Sequence, residues 1–214
     1  MPLKALLFGS IGVLAETSDI QRRAYNQAFV EKGLAWRWDP ETCRYLLQFV
    51  GGQARLRLLS NATNAGLSDV LIADIHAHKT QLAGEMVNAE INSGRPGVAE
   101  AIAAAKQAGL KLGIVTSTQH ANIAAVAGAA GIDLADFDVV VSNADVAESK
   151  PDPAPYLYAL DKLGVDSADA AAIEDTGSSA ASAVSAGIRG IATPGAYAAG
   201  QDFRQADAVV ADLL

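Results

Sequence analysis

The sequence predicts an α/β protein: a Rossmann-like, doubly wound parallel sheet with an all-helical cap inserted after the first strand. Three observations carry this expectation. Short apolar runs alternate with helix-period segments, the pattern of parallel strands joined by crossover helices. Half of the 214 residues are hydrophobic but only 6% are aromatic. The excess falls on Ala, Gly, Val, Ile and Leu, which suit buried strands under closely packed helices. One long stretch, Thr17 to Gly94, has helical patterns and no convincing strand.

In chain order, KALLFG (Lys4 to Gly9) is the first strand. Four helical stretches follow: DIQRRAYNQAFVEKG, PETCRYLLQFV, QARLRLLSNATNAG and SDVLIADIHAHKTQLAGEMVNAEINSG. Ala24, Ala28 and Phe29 share a face of the first with Tyr25, a core pattern rather than a cofactor contact. The block predicts a cap over residues 17–93, hinged near Ala15–Ser18 and Asn92–Pro96, on a core of residues 1–16 and 94–214. VAEAIAAAKQAG then aligns Val98, Ile102 and Ala105, and Gly109 stops it. KLGIVTS and DVVVS are strands. PAPYLYALDKLG is a helix opened by prolines and closed by Gly164. AAAIED, RGIAT and the short AVVADL complete the sheet, with a small-residue helix after AAAIED. Right-handed crossovers place helices on both faces.

Composition narrows the function. A formal net charge of −8 and the lack of any basic run exclude a nucleic-acid-wrapping surface, which needs clustered Lys and Arg. MPLKALLF is too quickly interrupted to read as a signal peptide, and no apolar run approaches the roughly 18 residues that span a bilayer. A cytoplasmic protein is expected. Cys43, the only cysteine, can form no intrachain disulfide, and its helical spacing with Leu47 points to packing rather than nucleophilic chemistry.

Ligands of an open parallel sheet bind beyond the carboxyl ends of its strands, and the informative residues cluster there. The first strand runs into Gly9-Ser10-Ile11-Gly12, the second into Thr116-Ser117-Thr118. ESKPDPAPY, after the third, presents Lys150; the fourth ends in Glu174-Asp175. Each has an ordinary reading as a helix cap or surface charge. Together, hydroxyls and a lysine suit a phosphate, and two carboxylates suit Mg²⁺.

The chain resembles the haloacid dehalogenase superfamily, in the branch with a small helical cap, and most of all its CbbY-type and β-phosphoglucomutase-like sugar-phosphate phosphatases. GVLAETSDIQRRAYNQAFVEKGL, LLQFVGGQARL, HAHKT, GRPGVAEAI, KPDPAPYLYAL, AIEDTGSSAASAVSAGI and TPGAYAAGQDFRQADAVV carry the resemblance in order over nearly the whole length. It implies phosphate binding by Thr116, Ser117 and Lys150, and Mg²⁺ binding by Glu174 and Asp175. On the cap it implies substrate contacts from Glu16, Arg55 and Lys79, although Gln53 stands where a lysine is usual. A solvated helix lysine is the alternative for Lys79, and a hinge-region surface acid for Glu16.

The first motif departs from the family pattern Phe-Asp-x-Asp-Gly-Thr/Val-Leu. Phe8 before it and Gly12-Val13-Leu14 after it fix the frame. Gly9 therefore stands where the nucleophile belongs and Ile11 where the acid/base belongs. Strand alternation would turn Ser10 away from the pocket that positions 9 and 11 line, and no histidine near it in sequence offers a base. His76 and His78, two apart on a helix, face different sides and share no metal. The residues thus predict a hydrolase-family protein that retains a pocket for a small phosphorylated metabolite but turns over little or nothing. Its Mg²⁺ site is weakened by the lost aspartate. The alternative is an active Mg²⁺-dependent phosphatase using another nucleophile.

Overall fold

Residues 2–49 and 51–214 are described by the computed structural model; Met1 and Val50, the last residue of the second predicted helical stretch, lie outside the described residues. Ala5–Phe8 forms β1, buried along its whole length. It lies between β2 (Lys111–Val115) and β4 (Ala170–Glu174), with Ala5 opposite both Lys111 and Ala170. β3 (Val139–Val141), β5 (Arg189–Ala192) and β6 (Ala208–Val209) complete a parallel sheet of order β3-β2-β1-β4-β5-β6. All the predicted strands are present, β6 as a shorter piece of AVVADL.

The period-2 geometry of β1 divides the core. Leu6 and Phe8 pack with Leu112, Ile114 and Ile173 under α5 (Val98–Gln107) and α6 (His120–Ala129). Ala5 and Leu7 pack on the other face with Val115, Val141 and Ala172. Tyr156, Ala159 and Ala183 cover them from α7 (Ala154–Leu163) and α8 (Gly177–Ser185). This is a doubly wound sheet. Gly113 lets β2 approach, since a Cβ there would lie 2.6 Å from Leu7 Cδ2 and 2.9 Å from Val139 Cγ1.

Between β1 and α5 the chain forms α1 (Ser18–Glu31), α2 (Pro40–Leu46), α3 (Gly52–Ala62) and α4 (Asp69–Glu90). These helices share a separate apolar cluster of Ala24, Tyr25, Phe29, Trp38, Leu56, Ile72 and Ile75. α2 starts where Asp39 accepts from the Thr42 amide at 2.7 Å and Pro40 supplies a preset φ.

Arg95 fastens the return to the sheet. Its amide donates to Leu14 O at 2.8 Å, and its guanidinium to Gly12 O at 2.6 Å, Thr193 O at 2.7 Å and Ala211 O at 3.0 Å. Among the described residues, no helix is long and apolar enough to cross a membrane.

Candidate functional site

At the carboxyl ends of β1, β2 and β4 lies a cavity of about 470 Å³, walled on the other side by α1, α3 and α4. Gly9, Ser10, Ile11, Thr116, Ser117, Lys150, Glu174 and Asp175 line its sheet side; Arg55 and Lys79 line its helical side. The structure thus gathers all the predicted site residues except Glu16.

Glu16 sits at the hinge. Its carboxylate accepts from Ser18 N at 2.9 Å and Ala196 N at 2.7 Å, tying the first hinge to the loop after β5. It is not among the residues lining the cavity. These bonds suit the hinge-region acid, and each oxygen, accepting once, keeps a further acceptor site.

Ser10 is a correction. β1 ends at Phe8, and Gly9 N makes a sheet-like bond to Ile173 O at 2.9 Å. The chain then turns, with Leu14 N bonded to Ser10 O and Gly12 N to Ala15 O, both at 2.9 Å. Alternation lapses with the strand. Ser10, 2% exposed, faces the cavity and donates to Thr116 Oγ1 at 2.8 Å. Beside them Ser117 Oγ is buried without a partner. Three hydroxyl residues therefore line this edge.

The space beside Gly9 is filled. A Cβ there would lie 2.5 Å from Glu174 Oε2 and 2.8 Å from Val13 Cγ2. Glu174 is 2% exposed and Lys150 3%. Lys150 Nζ donates to Val115 O at 2.7 Å, to Glu174 Oε1 and, at 3.4 Å, to Tyr156 OH. Tyr156 OH donates to the same Glu174 oxygen. Burial, and then the Glu174 charge, hold the Tyr156 hydroxyl well above its usual pKa, so it stays a donor. Asp175 is half-buried, and burial and then Glu174 push it up to about 8. It lies against Gly12, whose φ of +78° and lack of a side chain admit it.

The helical side carries unmatched positive charge. Lys79, 6% exposed, donates to Gln21 Oε1, and its ammonium lies 4.7 Å from the Tyr25 ring centroid. Burial, and then nearby Arg55, push it down to about 7. The Arg55 Nε donates to Phe49 O at 2.7 Å. Neither has a carboxylate among its described salt bridges. His76, also lining the cavity, is pushed down to about 4 by burial and is neutral. His78 pairs instead with Glu31, consistent with the two histidines serving different faces. Cys43 is buried and its thiol is pushed up to about 11, as packing rather than reactivity requires.

Glu174 and Asp175 are a poor fit to Mg²⁺. One is held by an ammonium and a phenol, position 9 offers no carboxylate, and the described residues contain no group of three or more His, Cys, Asp or Glu placed for a metal. Sequence reasoning missed Tyr156 and Gln21. Tyr156 stands inside the quoted ESKPDPAPY, on the first turn of the helix that follows Lys150.

The model of the haloacid dehalogenase-like hydrolase family matches residues 3–187. Protein CbbY of Rhodobacter capsulatus is 41% identical over 215 residues, covering all of this chain and 95% of that protein. The crystal structure of CbbY from Rhodobacter sphaeroides in complex with phosphate superposes with a TM-score of 0.89 at 35% identity, over 99% of this chain and 95% of the other. A mutant of that protein in complex with xylulose-(1,5)bisphosphate superposes equally well, at 0.89 and 36% identity, over the same shares of the two chains.

Proposed function

This chain belongs to the haloacid dehalogenase-like hydrolase family, in its CbbY-type branch, and on that premise we propose that it binds a small phosphorylated metabolite in the cavity with little or no phosphoryl transfer. One observation carries the reading: Gly9 and Ile11 occupy the two reactive positions, and Glu174 fills the space beside Gly9. Without the nucleophile no aspartyl-phosphate forms. Without the acid/base the leaving oxygen gets no proton, a contribution of roughly 10²–10⁴ in rate by itself.

The polar edge retained suits the ligand. Thr116 and Ser117 offer hydroxyl donors, and Lys150 places positive charge behind them. Lys79 and Arg55 face them across the cavity and suit a second anionic group. The phosphate and xylulose bisphosphate bound by the Rhodobacter sphaeroides relative support a sugar phosphate or bisphosphate as the ligand class. The helical segment is read as a cap that moves about Ala15–Ser18 and Asn92–Pro96. The family generally uses Mg²⁺; the residues here fit it poorly, and no step is assigned to it.

Ser10 favours a second reading, an active phosphatase with a hydroxyl nucleophile, because it lies in the cavity. Its described partner is another hydroxyl and not a base, which counts against activation.

The test is phosphate release from xylulose 1,5-bisphosphate and a panel of sugar phosphates with Mg²⁺, alongside thermal melting with the same compounds. The expected result is stabilisation without release, since a ligand that binds only the folded state raises Tm. Release abolished by Ser10→Ala would establish the second reading. Release that survives Ser10→Ala would refute both.

A further inference from the structure

We propose that Lys150 serves as the site's resident cation: its ammonium holds the Glu174 carboxylate where a divalent metal would hold it, so the cavity takes its phosphorylated ligand metal-free. The second half rests on the phosphate-binding reading above; the first does not.

An ammonium has three hydrogens, and the Lys150 nitrogen has three acceptors within reach, Val115 O, Glu174 Oε1 and, at 3.4 Å, Tyr156 OH. None is left for a phosphate oxygen. Glu174 Oε1 receives a second donor from Tyr156, and its other oxygen lies in the volume a side chain at position 9 would take. Both charges are nearly solvent-free.

A metal would have to strip Glu174 from two donors and find its remaining protein carboxylate in Asp175 alone. Mg²⁺ gives up water reluctantly and favours sites with carboxylates free to face it. A buried carboxylate already matched by an ammonium offers it little, because the desolvation has been compensated within the protein. The glycine at position 9 withholds one carboxylate from a metal, and the pairing with Lys150 withholds another. The phosphate then rests on the hydroxyls of Thr116 and Ser117, the latter buried and unpartnered. Lys150, matched to Glu174, contributes no bond to the phosphate.

The test uses the whole chain and Mn²⁺, followed by loss of the free-ion EPR signal. The natural protein should leave that signal unchanged at millimolar Mn²⁺. Lys150→Met, which strips Glu174 of its counter-charge, should create saturable binding, and adding Glu174→Gln should abolish it. Saturable binding by the natural protein, lost in Glu174→Gln, would overturn the proposal, and this arm needs no variant of Lys150 to fold.

In parallel, inorganic phosphate should raise Tm equally in EDTA and in Mg²⁺; a rise that requires Mg²⁺ would also overturn it. Should phosphate have no effect in either buffer while Mn²⁺ stays free, the ligand reading fails and the resident cation stands.

Discussion

Replacing Gly9 with alanine tests whether Glu174 occupies the place of the missing aspartate. Gly9 is not in the left-handed region, so alanine meets no backbone penalty. By restricting the unfolded chain it should stabilise by about 0.4–1 kcal/mol. Against that, the new methyl would lie 2.5 Å from Glu174 Oε2 and 2.8 Å from Val13 Cγ2. Overpacking of this kind costs about 1–3 kcal/mol, and Glu174 cannot retreat without loosening its bonds to Lys150 and Tyr156. The net expectation is a loss of about 1–2 kcal/mol.

The assay is urea unfolding at constant m, with a double-mutant cycle on Glu174→Ala. Glu174→Ala alone should be costly, roughly 3–5 kcal/mol, because it leaves a buried ammonium unpaired. Adding Gly9→Ala to it should then cost less than it does in the natural protein, with Val13 leaving the relief partial. If Gly9→Ala stabilises the otherwise natural protein, Glu174 does not fill that space. The same geometry bears on rebuilding the enzyme with Gly9→Asp and Ile11→Asp. That double variant recovers phosphate release only if Glu174 swings off Lys150, and it should be less stable than the natural protein.

Lys79 predicts a pH dependence. Its pKa falls from 10.5 unfolded to about 7 folded, so between those values the unfolded chain binds the proton more tightly and stability rises with pH. At 1.36 kcal/mol per unit the full effect approaches roughly 5 kcal/mol. Lys79→Met should flatten the urea midpoint across that window; an unchanged slope would refute the assignment. An anionic ligand that needs the ammonium should bind more weakly above about pH 7, which isothermal titration would show as proton uptake. Arg95→Met removes donors from the Gly12, Thr193 and Ala211 carbonyls and should cost about 2–4 kcal/mol by loss of charge-assisted bonds; a change within about 0.5 kcal/mol would refute its fastening role. Cap movement predicts a smaller radius of gyration by X-ray scattering with a bound sugar bisphosphate, and identical profiles would count against it.

The strands were legible because both faces of the sheet are covered, which turns each one into an apolar run bounded by turns. The convergence of Thr116, Lys150 and Glu174 followed from the rule that parallel strands present their carboxyl ends together. Ser10 was misjudged because alternation was carried past Phe8, where the extended backbone stops. The bond of Glu16 to Ala196 N, 180 positions away, was illegible because no local pattern announces it. Lys79 left a signal: Ile72, Ile75, Lys79, Leu82 and Ala83 form one buried helical stripe, so a solvated position was excluded by period alone. That Glu174 fills the space beside Gly9 is a tertiary fact, and sequence can show only that the space is vacant.

The order of the sheet also has a consequence for biosynthesis. β1 leaves the ribosome well before its two neighbours, which begin at Lys111 and Ala170. The helical segment after it carries its own apolar cluster between Ala24 and Ala83, so it can condense while β1 still has both edges bare. Such contacts between distant parts of the chain form slowly, and an unpaired apolar strand is a template for association with other chains. The middle of the finished sheet is therefore the nascent chain's longest-standing hazard. Damage to β4, remote in sequence, would surface as aggregation through Ala5–Phe8.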